Sequence, residues 1–365
     1  IKDKIAHSCV EIKNMENYRF QDFQIQFKNM MKKAQENSNL GKDKNAKIKK
    51  YLEVDVTSGK MSEKDANKLQ LLKDSHYSFL KNRIRESNSP KLEDLKRWPF
   101  ELIQNGTDCI QDEKDQQSPH NGSMFLGFGE GEFTFIHYGA PFTYNDFLSL
   151  LYQYGGGKDG NKSKIGRFGT GFLSTLVLAR TIHVEGDLLP INGEQKISGF
   201  EVTIDRNGKE KEDLKKGIDN MEQSLIMTEK KGETKFVFKL PQYSDENEKF
   251  YDAYNEGLKI LKENIPQILI FNPSIKKITL KTKDDTLIFQ RTQSEGPIRT
   301  ISIQSNKQTI QRTFIYHEIN ERFEYKSENI SKNVKVNCLL EVGSNNNIIH
   351  NNDFLFLSFP MFGLK

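Results

Sequence analysis

The sequence predicts an α+β protein, and three observations carry that prediction. Residues 1 to about 85 place apolar side chains at helical spacing. Residues 123 to 138 alternate apolar and polar as a strand pair does. Beyond 241, one helical run is followed by strand after strand. The 365 residues leave room for two domains or one elaborate one, and a hydrophobic fraction of 35% with 25 Phe suffices for a sizeable core.

Taken in order, YRFQDFQIQFKNMMKKAQ, AKIKKYLEV and EKDANKLQLLKDSHYSFLKNRI read as helices, with Phe20, Phe23, Phe27 and Met30 or Met31 recurring on one face. They form either an extension packed on the main domain or a partner surface. SNSP at 87–90 marks a turn. Pro99 lacks a donor, so the next helix is expected to begin at about Trp98. In WPFELIQNGTDC, residues 98 to 109, Glu101, Asn105 and Asp108 fall at i, i+4 and i+7 on one face, while Leu102, Ile103 and Ile110 fall on others. Two acids and an amide pointing one way are either a solvated face or a site.

After a polar loop, SMFLGFG and EFTFIHY make a hairpin about Glu130-Gly131, running into His137-Tyr138-Gly139-Ala140-Pro141-Phe142. TYNDFLSLLYQY is a helix with Thr143 as N-cap. There follow GGGKDGNKSK and KIGRFGTGFLST, where Gly166, Gly169 and Gly171 precede the apolar helical run FLSTLVLA. Glycines there allow positive φ and close approach to a ligand, and the helix that follows would turn free N–H groups toward an anion. No Gly-Lys-Ser/Thr closes the loop, so it is not a Walker loop. TIHVEGDL and KISGFEVTIDR are strands; a charged helical insert separates them from the strand Gly232–Phe238. EKFYDAYNEGLKILKENI is a helix, and SIKKITLKTK, DTLIFQR, RTISIQ, QRTFIYHEI, VKVNCLLEV and FLFLSFP are strands of a mainly antiparallel region.

With 54 basic and 50 acidic residues the net charge of +4 is too balanced to imply nucleic acid by itself. Cys9, Cys109 and Cys338 are scattered and odd in number; they build no disulfide framework or zinc spacing, which favours a reducing, cytoplasmic compartment. No apolar run has the length of a membrane span. The chain starts at Ile1 and ends within a strand-like run, and is read as a fragment of a longer protein.

ELIQNGTD followed by IGRFGTGF resembles the N-box and second glycine box of the GHKL superfamily, the ATP-binding fold shared by gyrase B subunits, MutL, histidine kinases and the large heat-shock chaperones. IGRFGTGFLSTLVLA is most similar to the chaperone version and still more to sacsin-type ATP-binding proteins, as are RWPFELIQN and HYGAPFTYNDF. The resemblance covers roughly residues 90 to 285. It implies a Bergerat-type two-layer α/β sandwich, with a mixed, mainly antiparallel sheet and helices on one face. The implied division is a helical extension over 1–88, an ATP-binding domain over 89–242 and a transducer-like α+β domain over 243–365.

The resemblance also implies chemistry, ATP hydrolysis with Mg²⁺. Glu101 would deprotonate the attacking water, Asn105 would offer its amide oxygen to Mg²⁺, and Asp108 would serve behind them or on the purine side. Backbone amides of Gly166, Arg167, Phe168, Gly169, Thr170, Gly171 and Phe172 would hold the phosphates, with Lys164 and Arg167 neutralising charge. Gly139 belongs to the purine-side motif, and Thr234 is the candidate for reading the purine through water. Where relatives carry Asp before that glycine this chain has His137, which either takes over adenine contact or is a strand-end histidine satisfied by the loop. Homodimerisation on ATP binding, a γ-phosphate-sensing Lys or Arg and an effector outside the fragment are also implied, in a chaperone-like or phage-defence setting. Competing readings are a non-hydrolysing nucleotide sensor or scaffold, a histidine kinase using His76, and a DNA clamp resting on lysine clusters alone.

Overall fold

The computed structural model describes residues 77–112, 120, 122–152, 171–189, 197–208, 210–293, 296–325, 330–343, 348–349, 355–357 and 359–361. A helical stretch over 77–86 comes first. In chain order there follow α1 (Leu92–Asp112), β1 (Ser123–Gly129), β2 (Glu132–His137), α2 (Tyr144–Tyr152), a 3-10 helix (Phe172–Val177), β3 (Thr181–Leu188) and β4 (Ser198–Asp205). Next come α3 (Lys211–Ser224), β5 (Ile226–Thr228), β6 (Thr234–Lys239), α4 (Glu248–Phe271), β7 (Lys277–Lys281), β8 (Thr286–Gln293) and β9 (Ile298–Gln304). β10 (Thr309–Tyr325), β11 (Ile330–Val342), β12 (Ile348–Ile349), β13 (Leu355–Leu357) and β14 (Phe359–Met361) complete the chain. The class is α+β, with mixed, mainly antiparallel strand pairing. Most of the expected N-terminal helices, up to residue 76, lie outside the described residues.

The described residues fall in two compact units, each drawn from two stretches of chain. The first takes residues up to Pro90 and Pro141–Phe250. Its strands run in the order β6-β3-β4-β5, all antiparallel. Alternation puts Ile182 and Val184 of β3, Val202 and Ile204 of β4 and Phe236 and Phe238 of β6 inward. Tyr77, Leu80 and Ile84 pack with Leu173, Leu176 and Leu214, which ties the 77–86 helix to the 3-10 helix and to α3. Thr143 caps α2 as its sequence predicts: its hydroxyl accepts the Asp146 N–H at 3.2 Å, and the Asp146 carboxylate accepts the Thr143 N–H in return at 3.3 Å. Glu210 and Asp213 make the same reciprocal box on α3.

The second unit takes Lys91–Ala140 and the chain from Tyr251. Its strand order is β2-β1-β7-β8-β9-β10-β11-β12, with β1 and β7 parallel and the other neighbours antiparallel. The hairpin β1–β2 turns at Glu130-Gly131, where Gly131 takes φ 71°. The C-terminal end of α4 is closed by Arg291, whose guanidinium donates to the Leu269 carbonyl, a group the helix end leaves unsatisfied, and just beyond it to the carbonyls of Asn272 at 3.1 Å and Ile275 at 3.0 Å. The run FLFLSFP, expected as one strand, is split into β13 and β14, which pair with each other.

One helix boundary departs from expectation. α1 begins at Leu92, with Pro99 inside it, rather than at Trp98. Asp94 accepts the Lys91 N–H at 2.9 Å at its start. Pro99 forfeits the bond to the Leu95 carbonyl, but burial of its neighbour offsets the loss. Trp98 is fully buried, donates from Nε1 to the Ala253 carbonyl at 2.9 Å and meets the Phe133 ring edge-on at 4.8 Å. Packing decided what propensity opposed.

Candidate functional site

α1 buries polar residues where a surface helix would expose them. At about 100° per residue, Glu101, Asn105 and Asp108 lie within about 60° of arc. Glu101 is half-buried, and Asn105 and Asp108 are each only 4% exposed. That excludes the solvated-face alternative for the last two. The Asn105 Nδ2 is enclosed and has no hydrogen-bond partner among the described residues. Leaving a buried amide unsatisfied costs about 1–3 kcal/mol, so folding alone gives no reason for an asparagine here. Thr107, also buried, returns its hydroxyl to the Ile103 carbonyl at 2.7 Å and so needs no further partner.

The sequence reading missed one neighbour of Glu101. Arg97, one turn earlier, donates from Nε at 2.8 Å and from Nη2 at 2.7 Å, both to Oε1. Oε2 is left outside that pair. The i,i+4 spacing of an arginine and a glutamate was the available signal.

The strand end beneath α1 explains two glycines. A Cβ on Gly106 would come 3.0 Å from Met124 and Phe135 side chains and 3.4 Å from the His137 Cβ. Gly106 therefore serves the close approach of helix to hairpin. A Cβ on Gly139 would lie 2.7 Å from the Cys109 carbonyl carbon and 2.8 Å from the Ile110 nitrogen. Next to it, Ala140 donates its N–H to the Cys109 carbonyl at 2.9 Å. Strand end and helix backbone meet with nothing between them, which only glycine permits.

His137 is fully buried beside Phe135, ring centres 5.6 Å apart. Burial lowers its pKa to about 4, so the imidazole is neutral at pH 7. An unfolded histidine titrates near 6.5. Between the two values the unfolded chain takes up a proton that the folded chain refuses, so stability falls as pH drops through that window. The expected loss is roughly 3 kcal/mol from pH 6.5 to 4. Urea unfolding of wild type and His137→Gln at pH 7 and 4.5 checks this: the wild type should lose more than the variant, and equal losses would remove histidine as the cause.

The other candidate residues divide as follows. Lys164, Gly166, Arg167, Phe168, Gly169 and Thr170 lie outside the described residues. Gly171, Phe172 and Thr234 belong to the first unit. Gly171 has φ −62°, an ordinary right-handed conformation, so the positive φ that glycine allows is not used there. The apolar run after it is a 3-10 helix of 6 residues, not an α-helix, with correspondingly little aligned dipole. Phe172 is a core side chain, its ring 5.7 Å from that of Phe236. Thr234 is buried at the start of β6, after a turn whose N–H groups at Lys231 and Gly232 bond the Asp187 carboxylate at 2.6 and 2.8 Å.

No family model matches the chain, and no curated protein matches it in sequence. Among solved structures it is similar to the Aquifex aeolicus MutL ATPase domain complexed with ADP, at 8% identity over 52% of this chain and 75% of that one, TM-score 0.28. The B subunit of DNA gyrase from Myxococcus xanthus matches at 7% identity over 62% of this chain and 63% of its own, TM-score 0.31. The N-terminal domain of a DNA repair protein matches at 11% identity over 57% and 73%, TM-score 0.28. MutL and gyrase B are two of the proteins whose motifs the sequence resembles. At these TM-scores the likeness carries no inference about activity, which rests on the residues of α1.

Proposed function

We propose that this chain binds ATP with Mg²⁺ and hydrolyses it, as the nucleotide-binding part of a conformational switch. The observation that carries the reading is the buried face of α1: a half-buried carboxylate, then one turn on an enclosed amide, then a buried second carboxylate, in the spacing of the N-box.

Asn105 suits the metal. A neutral amide oxygen is a fit donor for a hard cation whose other ligands are phosphate oxygens and water, and the unpartnered Nδ2 marks a side chain that intramolecular bonds do not account for. When bound, Mg²⁺ would neutralise phosphate charge. Glu101 would take the proton from water as the water oxygen bonds to the γ-phosphorus and the bond to the ADP oxygen breaks. Arg97, holding Oε1, would orient the carboxylate and leave Oε2 to the water. Asp108 would support Asn105 or the purine. His137 presents one acceptor nitrogen when neutral, which suits an exocyclic amine. By the motif resemblance, the amides of residues 166–172 are assigned to the phosphates, Lys164 and Arg167 to their charge, and Thr234 to the purine.

Asn105→Ala should weaken ATP binding in Mg²⁺ on the order of tenfold or more and leave binding in EDTA little changed, as read by calorimetry. An affinity equal to wild type in both buffers would remove Asn105 as the ligand. Dimer closure on a non-hydrolysable analogue, with an effector beyond this chain in a chaperone-like or defence role, extends the same reading; light scattering at unchanged mass would count against it. A second reading, a nucleotide sensor that does not hydrolyse, is favoured by the Arg97 pair on the proposed base and by histidine in place of the adenine-binding carboxylate. Calorimetric ATP binding without phosphate release would select it.

A further inference from the structure

The first unit holds two buried cations that the nucleotide reading does not use. Arg180 and Arg206 flank the paired strands β3 and β4, where Thr181 faces Asp205 and the Arg206 N–H donates to the Arg180 carbonyl at 2.9 Å. Residues opposite each other across an antiparallel pair project from the same face, so the two side chains leave the sheet together. Arg180 is 7% exposed and Arg206 3%.

Among the described residues each guanidinium donates to neutral oxygens alone. Arg180 donates to the Asn88 Oδ1 at 3.0 Å and to the Ile84 carbonyl at 3.4 Å; Arg206 donates to the Leu150 carbonyl at 3.4 Å. The Nη1 of both is enclosed with no hydrogen-bond partner among the described residues. Aromatic faces supply the rest of the surroundings, Phe250 at 5.6 Å from Arg180 and Phe172 at 5.8 Å from Arg206. A third cation stands close, since Lys249 donates to the same Asn88 oxygen at 3.1 Å. Two other arginines meet carboxylates: Arg312 is paired with Glu341, its Nε 2.6 Å from Oε1, and Arg97 with Glu101; Arg291 donates to backbone carbonyls, but at a helix end and, among the described residues, with no second arginine guanidinium paired to it across a strand. Burial depresses Arg180 to about 10, and burial with Arg180 beside it depresses Arg206 to about 9. Two desolvated like charges with no counter-charge among the described residues oppose folding strongly.

We propose that Arg180 and Arg206 form a binding site for a phosphate group, which supplies the missing counter-charge between the two guanidinium forks. Phosphate is favoured over carboxylate by charge, since two buried guanidinium groups call for more than one negative charge, and by the fit of planar guanidinium to phosphate oxygens. The site is independent of the roles proposed for α1. The phosphate is either free in solution or the phosphoryl group of a nucleotide.

Thermal unfolding of the whole 365-residue chain tests this in inorganic phosphate against chloride at matched ionic strength, and with ADP in chloride. At a phosphate concentration about 100 times the dissociation constant, the wild-type Tm should rise by roughly 5 °C. Arg206→Met should lose that rise. In chloride, without ligand, it should also melt no lower than wild type, because an uncompensated buried charge has gone. Should Arg206→Met fail to fold, Arg180→Met serves with the same expectation. A rise with ADP but not with inorganic phosphate, abolished by the same variants, assigns the group to a nucleotide. A wild-type Tm equal in phosphate, ADP and chloride, an equal rise with acetate, or a phosphate response that survives both substitutions would overturn the proposal.

Discussion

Glu101→Ala is expected to cut phosphate release from ATP by about 10²- to 10⁴-fold, the range that a positioned general base supplies, while ATP affinity changes little. The asymmetry follows from position. Glu101 is the least buried of the three polar residues on its face and pairs only with exposed Arg97 in the described structure. Removing it leaves no buried partner without a counter-charge, so fold and binding surface should survive. A coupled-enzyme assay and calorimetry on one preparation measure both halves. Undiminished turnover in the variant would transfer the proton to another group. Affinity lost together with turnover would make Glu101 a binding residue.

Trp98→Ala carries the largest expected structural effect, about 3–5 kcal/mol of stability. The indole is fully buried, edge-on to Phe133, and is the group that holds α1 through Pro99. Its neighbour Gly257 has no side chain because the indole occupies that space. Truncation leaves a cavity and removes the bond from Nε1 to the Ala253 carbonyl, 2.9 Å long. Because Trp98 lies one turn before Glu101, the loss should reach the site as weaker nucleotide binding. Urea denaturation reads the first effect, and a loss under 1 kcal/mol would mean that the helix holds its course without the indole. Trp98→Phe, which keeps the ring and loses the hydrogen bond, should fall between.

Much of the fold was legible because its signals are local. The hairpin about Glu130-Gly131, the Thr143 cap, the strands of β3, β4 and β6 and the long helix α4 follow from alternation, helical spacing and turn chemistry over a few residues. The start of α1 was not, because a proline rule read locally cannot see the buried indole that overrides it. Nor could local reading fix the backbone at Gly171: glycine permits positive φ without requiring it, and at φ −62° the chain does not use the freedom. Gly139 was marked by its motif, but what it accommodates is helix backbone in contact, and Gly106 accommodates the hairpin side chains packed against α1.

By itself the sequence determined the order of residue types on α1, because the helical period converts spacing into a shared face with no help from the rest of the chain. It also determined that a histidine stands at the strand end where the motif it resembles carries a carboxylate. Tertiary structure alone decided that Asn105 and Asp108 are buried, that Arg97 holds Glu101, that His137 is neutral, and that Arg180 and Arg206, 26 positions apart, share one desolvated place. The physical reason is that burial and charge pairing depend on which segments the sheet brings side by side, and a spacing along one segment carries no record of that.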